Sequence, residues 1–495
     1  MANPLQQLHP KEFGYTEALH LLNRAGFGGT PAQVRALADL GLEGAVDYLV
    51  EFEKRPQPDS KAEFRGDIRR QLTQAENEEL RRARANKDEE TIARFEQERQ
   101  MRERSDREQL AAMQRWWLER MIETGRPLEE KLTLFWHGHF ATGYRTIENS
   151  WHMLAQNSML RANCLGNFAD LARGIIRDPA MLKYLDNDEN RRQSPNENLA
   201  RELLELFTLG EGNGYTERDI KEGARALTGM TFRGNDYFFD ERQHDPGVKS
   251  ILGRSGAFAG DEFVSAILEK PQCARFIAWK LHRFFVNDAP VQSKEAREAV
   301  ERLAAELRQN RYELRPMLRK LFLSRHFYAR ENRLSVVKSP TQLTVQAVRG
   351  FGTPTRSVGA LVEAGDLMGQ QLFQPPSVKG WDGGRAWINT ATLFTRQNLV
   401  VYLVTGRTGA DLASEPAKFE YDALHLVEHL RDASGTLDPD ECVRAIATFA
   451  LGEEPAPARL AQLSKFLDEL GGTVTDDRVK ALLCLVASMP EYQLC

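Results

Sequence analysis

Cysteine is scarce: five residues in 495, at positions 164, 273, 442, 484 and 495. Their number is odd, they lie far apart, and no CxxC occurs. Zinc-ribbon and thioredoxin spacings are therefore excluded, and no disulfide framework is implied. Buried thiols are expected, with Cys495 at the terminus exposed. An excess of one charge is also missing, since 66 Lys and Arg face 71 Asp and Glu for a net charge of −5. Generalised polyanion binding is argued against, because acidic residues intersperse the arginines and leave no long basic stripe; a local basic pocket stays compatible. Nucleic acid is not an expected partner. No apolar stretch reaches the length of a membrane span. The N-terminal "MANPLQQLHPKEFGYTEALHLL" lacks a basic segment followed by an apolar run, so the sequence as written reads as cytoplasmic; a trimmed signal, or export in company with a signal-bearing partner, is compatible with the same sequence. No repeat recurs at a fixed period. "GWDGG" and "AGFGG" are neither Walker loops nor dinucleotide fingerprints, for GxxxxGK[ST] is absent and no βαβ unit surrounds them.

What is present reads as an all-α protein: a large multi-helix domain with one small β-hairpin insertion and a protruding charged helical arm. Residues 1–59 form N-terminal helices, 60–110 the arm, 111–410 the main helical domain and 411–495 a C-terminal helical subdomain. Thr30 as N-cap and Pro31 at the first helical position open one early helix. From Ser60 to Arg107 charges alternate in sign and apolar residues are few, the pattern of a solvated helix or helical hairpin laced by i,i+4 pairs. The arm turns apolar at "LAAMQRWWLERMI", where it rejoins the core. Thr216 and Asp219 resemble a capping box, and aromatic residues flanking Gly234-Asn235-Asp236 read as a hairpin.

Four constellations carry chemistry. In "LTLFWHGHFATG", His137 and His139 could serve as metal ligands or as acid and base. In a helix, residues two apart point roughly opposite ways, so the pair converges only if Gly138 breaks the helix. Otherwise His139 is a hydrogen-bonded core residue and His137 a C-terminal cap. In "NENLARELLELFTLG", Asn198, Glu202 and Glu205 share one helical stripe. A half-buried carboxylate pair holds its protons more tightly or demands a cation, which Arg201 or Arg225 could supply without a metal. In "RQHDPGVKSILG", Asp245 before Pro-Gly is a turn former, leaving His244 and Lys249 as the titratable pair. In "PPSVKGWDGGRAWINTATLFTR", prolines and glycines impose a fixed path of the kind functional loops take. Trp381 and Trp387 could stack on a sugar or base. Lys379, Arg385, Asn389 and Arg396 offer donors to a carboxylate, sulfate or phosphate. The alternative is a crossover loop whose tryptophans pack and whose arginines satisfy carbonyls.

With "HLLNRAGFGGTP", "LFWHGHF", "NENLARELLELFTLG", "YTERDIKEGARALTG", "HDPGVKSILG", "VKSPTQL" and "QPPSVKGWDGGRAWINT" in this order over nearly the whole chain, the sequence resembles the bacterial family named domain of unknown function 1800. The resemblance implies no assigned activity and no catalytic residues. Members often look exported and are often encoded beside a family resembling sulfatase and alkaline-phosphatase folds, which implies such a protein as partner. This chain departs from that pattern in showing no export signal.

Two readings follow. The first is a metal-assisted hydrolase or transferase acting on a glycan or other anionic substrate. Glu202, Glu205 and His244 would be catalytic, His137 and His139 would hold a divalent metal, and the 379–396 loop would bind substrate. The second is a non-catalytic binding or assembly protein that engages a sulfatase- or phosphatase-like partner through the arm. Convergence of the histidines with Glu202 and His244 in one solvent-reachable pocket supports the first; dispersal supports the second.

Overall fold

A computed structural model of the chain describes residues 3–57, 63–288, 293–407 and 421–495. The expected boundaries at 59/60 and 410/411, and Ser60 at the start of the arm, lie outside the described residues. The architecture is helix packed on helix with two small antiparallel strand pairs, and buried apolar side chains from Leu5 to Tyr492 join one hydrophobic cluster.

At the middle runs the helix Pro127–His139, hereafter the central helix. Proline sits at its first position and Glu129 and Glu130 in its first turn, where an acidic side chain complements the helix dipole. Twelve of its thirteen residues are buried, Gly138 being the exception, and a helix covered all round belongs to the interior of a large protein. Its Trp136 is fully buried and donates from Nε1 to the Cys164 carbonyl at 2.8 Å.

The arm is a helical hairpin. Thr73 caps Gln74–Asn86, Lys87 turns the chain at φ +54°, and Asp88 caps the 35-residue helix Glu89–Glu123. Arg99 pairs with Glu96 and Glu103, and Arg104 with Glu108, at the expected three- and four-residue spacings. Beyond these pairs Leu110, Met113, Trp117 and Met121 turn into the core. The cap at Thr30 and the capping box at Thr216 and Asp219 form as their sequences dictate.

The expected hairpin pairs Met230–Arg233 with Asp236–Phe239 across Gly234-Asn235. A second pair, Lys249–Ile251 with Arg254–Gly256, was not anticipated. Its turn places Leu252 and Gly253 at φ +51° and +82°, a conformation whose twist suits a two-residue hairpin. Cys495 is buried rather than exposed. Its N–H donates to the Val336 carbonyl at 2.9 Å, and that of Lys338 to Gln493 at 2.8 Å, so the last residues run beside 336–338.

Candidate functional site

The central helix does not break at Gly138, so the two histidines diverge. His137 accepts the Phe373 N–H at Nε2 (3.1 Å) and packs among Trp117, Phe373 and Trp381. Phe373 sits at φ +64°, a strained conformation for a residue other than glycine, and its carbonyl is held by the Tyr144 N–H at 3.0 Å. His137 is thus a clamp on the chain entering the Gly/Trp loop. His139 donates from Nε2 to the Phe207 carbonyl at 2.9 Å, and its buried Nδ1 has no partner among the described residues. Burial pushes His137 down to about 3 and His139 well below the usual imidazole range, with Lys280 adding to the latter. Both rings are neutral at ordinary pH.

What Gly138 does is admit the loop. Gly380 lies at φ +76°, and a Cβ there would stand 2.1 Å from the Gly138 carbonyl oxygen. The "HGH" and "KGW" glycines therefore meet backbone to backbone, with Trp381 over the helix face at Gly138. Gly380→Ala is expected to destabilise the fold by about 2 kcal/mol, from strain at positive φ compounded by the collision. Urea denaturation followed by tryptophan fluorescence reads it; an unchanged midpoint would show that the loop is not seated this way.

Beneath the loop lies a cavity of about 190 Å³. Its walls come from the central helix (Lys131, Leu134, Phe135, His139), the helix Pro271–Phe285 (Lys280, Arg283, Phe284), the segment 336–339 and the loop itself (Lys379, Trp381, Trp387). Arg24, from the helix Tyr15–Ala25, reaches in from below. Six basic side chains line it, namely Arg24, Lys131, Lys280, Arg283, Lys338 and Lys379, against two carboxylates, Asp288 and Asp382. None of the six forms an ion pair with a carboxylate side chain among the described residues. Arg24, Lys131 and Lys338 are 2%, 6% and 1% exposed.

Their hydrogen bonds go to uncharged protein groups and to Cys495. Arg24 donates to the Phe285 and Val286 carbonyls and, at 2.7 Å, to the main-chain oxygen of Cys495. Lys131 donates to the Gln342 side-chain oxygen, and Lys338 to the Tyr492 carbonyl at 2.7 Å. Burial lowers both lysines to about 7. Cys495 opposes the shift, while Arg24 adds to it for Lys131 and Arg396 for Lys338. Lys280 falls to about 8 through burial and Arg283. Asp288 is raised by burial, against the Val337 main-chain N–H, Arg24 and Arg283, and among the described residues its buried Oδ2 has no hydrogen-bond partner.

The remaining expected site residues disperse. Glu202 and Glu205 lie on Asn198–Glu202 and on the π-helical turns Leu203–Thr208 that continue it, not on one regular α-helix. Arg201 pairs with Glu197, Glu205 and Glu217 at 2.9–3.3 Å, the metal-free alternative. Glu202 is half-buried and raised by burial and by Glu205, against Arg201 and Lys379. His244 packs on Phe239 and shares Nδ1 with the Thr228 carbonyl at 2.9 Å, away from the cavity. Asp245 is tied to Arg225 at 2.7 Å, and Lys249 donates to the Asp245 carbonyl.

Within the loop, Lys379, Trp381 and Trp387 line the cavity, but three expected contacts do not. Arg385 is exposed. Asn389 caps the helix Thr390–Thr405, accepting the Thr392 N–H at 3.0 Å. Arg396, inside that helix, is fully buried and donates to Gln493 and to the Lys338 carbonyl, so it supports the cavity wall from behind. Among the described residues no group of three or more His, Cys, Asp or Glu side chains is arranged to hold a metal ion, and no helix is long and apolar enough to cross a membrane.

Sequence reasoning passed over Arg24, Lys131, Lys280, Arg283 and Lys338. A signal existed for Lys131, which follows Leu128 by three residues and precedes Phe135 by four, on the apolar stripe of its own helix. A family model described as a protein of unknown function, DUF1800, matches residues 20–494. No curated protein and no solved structure matches the chain.

Proposed function

We propose that this chain, which belongs to the DUF1800 family, recognises a small anionic substrate in the cavity beneath the 379–387 loop. A carboxylate, sulfate or phosphate would lie among Arg24, Lys131 and Lys338, with a sugar ring or other flat face against Trp381 and Trp387. One observation carries the reading: three nearly wholly buried cations without carboxylate side-chain partners share one cavity with three further basic side chains. Burying charge costs several kcal/mol; Cys495, which accepts from Arg24 and opposes the shift of both lysines, offsets part of that cost, and an anionic ligand would offset more. Catalysis on such a substrate would fall to neutral groups at the same cavity. The lysines that burial brings near neutrality are suited to proton transfer.

The test is calorimetric titration of the full chain with sulfate, phosphate and acetate at pH 6.5. Sulfate or phosphate is expected to bind, and Lys131→Met with Lys338→Met to weaken binding at least tenfold. Arg385→Ala, outside the cavity, is expected to bind as the wild type does. Equal binding by wild type and double variant would remove the reading.

The partner reading keeps one supporting feature. A cleft of about 520 Å³ at the arm is lined by Arg84 and Arg102, by Arg69 and Arg99 already paired with Glu96, Glu103 and Glu148, and by Leu80 and Phe95. That mixture suits a partly apolar protein surface of mixed charge, including that of a sulfatase- or phosphatase-like partner.

A further inference from the structure

The cavity sets apolar walls beside its cations. Leu134, Phe135, Phe284, Val337, Trp381 and Trp387 line it together with Arg24, Lys131 and Lys338. A bare inorganic anion has no hydrocarbon surface to offer such walls. One of them, Trp387, also leads outwards. The Thr392 hydroxyl donates to the Trp387 carbonyl at 2.9 Å, which folds the first turn of the helix Thr390–Thr405 back against the end of the loop. Ala391 and Phe394 share a face of that helix, with Ile388 three residues before them, and all three are exposed. On the other side Gly369 packs against the Trp387 ring, its Cβ position 3.9 Å from Cζ3. Two residues before it stands Leu367, the last residue of the helix Val358–Leu367.

Seven large apolar side chains are exposed among the described residues, and three of them, Leu367 (64%), Ile388 (36%) and Phe394 (69%), gather in this way about one tryptophan of the cavity wall. Single exposed apolar residues are ordinary; a cluster at the mouth of a cavity marks a binding surface. The charge inside the cavity selects what covers it. A second copy pressed on the same face would set six basic side chains against six. A neutral apolar molecule would leave the buried cations as they are. An anion that carries hydrocarbon meets both demands.

We propose that the ligand of the cavity is an anionic amphiphile. A sulfate, phosphate or carboxylate head lies among Arg24, Lys131 and Lys338, and a hydrocarbon tail passes Trp387 to cover Ile388, Phe394 and Leu367. This rests on the reading of the cavity as an anion site. The head sets the orientation by charge, and the tail adds affinity by leaving water, about fourfold for each methylene fully buried.

The experiment is calorimetric titration of the full chain at pH 6.5 with inorganic sulfate and with methyl, butyl and octyl sulfate below their micelle concentrations. Octyl glucoside serves as the uncharged tail. Affinity is expected to climb along the series, octyl sulfate binding about 100-fold tighter than methyl sulfate and than octyl glucoside. Phe394→Ser with Leu367→Ser, both at exposed positions, should weaken octyl sulfate about tenfold and leave methyl sulfate as it was. Lys131→Met with Lys338→Met should weaken every sulfate of the series by a similar factor.

Equal affinity for methyl and octyl sulfate, with inorganic sulfate still bound, would overturn the tail and leave the anion site standing. Octyl sulfate held undiminished by the serine double variant would overturn the tail's place at the mouth. Equal binding of octyl sulfate and octyl glucoside, with inorganic sulfate unbound, would overturn the anionic head together with the anion site.

Discussion

Glu130→Gln is expected to destabilise the fold by about 3–5 kcal/mol, the cost of leaving buried charge uncompensated. Glu130 is fully buried. It accepts from Arg161 Nε and Nη2 at 2.8 and 3.1 Å, from Trp117 Nε1 at 2.9 Å, and from Arg120 Nε. The side-chain amide keeps the shape but replaces one accepting oxygen with a donor and removes the charge both arginines face. Glu205→Gln, in the ion-pair group around Arg201, is the contrast. Arg201 retains Glu197 and Glu217 and is more exposed, so that change should stay within about 1 kcal/mol.

Urea midpoints for the two variants make the comparison. The acid side supplies a second check. Burial alone would raise Glu130, but Arg161 and Arg120 outweigh it and hold the carboxyl below its usual range. A depressed carboxyl contributes its full stability above the ordinary carboxylate pKa and loses it as pH falls through the lower folded value. The wild type should therefore weaken on the acid side more steeply than Glu130→Gln. Parallel acid profiles for the two proteins would sink the ion-pair account.

That network also explains which parts of the chain were legible beforehand. Helices announced themselves through period and caps: Thr30 with Pro31, Thr216 with Asp219, and the sign-alternating arm all form as the sequence dictates. The Gly/Trp loop was legible as special because Gly380 must adopt positive φ, a demand visible in composition. The assignment of roles was not legible. His137 and His139 differ by two residues, yet one clamps Phe373 and the other lines the cavity; only the packing of Phe373 against His137 decides that. Arg396 reads like any loop arginine until Gln493, ninety-seven residues away, is seen to accept from it.

Lys131 was overlooked for the opposite reason. Lysine on an apolar stripe is ordinarily taken to snorkel to the surface. Here Gln342 and the rings of Phe27 and Phe284 close over it. Arg24, Lys131, Lys280 and Lys338 come from four separate stretches of the chain, so their sum of charge exists only in the fold.

The affinity for sulfate is expected to fall by about 100-fold or more between pH 6 and pH 9, while the empty protein gains stability over part of the same range. Both follow from Lys131 and Lys338 at about 7 and Lys280 at about 8. In the unfolded chain these lysines titrate near 10.4. Between about pH 7 and 10.4 the unfolded state therefore binds more protons than the folded one, and the free energy of unfolding rises with pH. Sulfate does not titrate in this range and prefers the protonated lysines, so bound sulfate raises their pKa. Above pH 7 each such lysine then lowers affinity by up to a factor of about ten per pH unit. Binding near pH 8 must take up protons, which calorimetry in buffers of different ionisation heat measures directly. The stabilisation by sulfate should be largest at pH 6, where the buried lysines carry their charge, and should shrink towards pH 9, where they have lost it and the arginines alone remain charged. Lys131→Met with Lys338→Met should flatten both dependences together. Proton uptake near zero, with affinity unchanged across the range, would mean that the lysines keep their charge without a ligand and that the cavity is not the anion site.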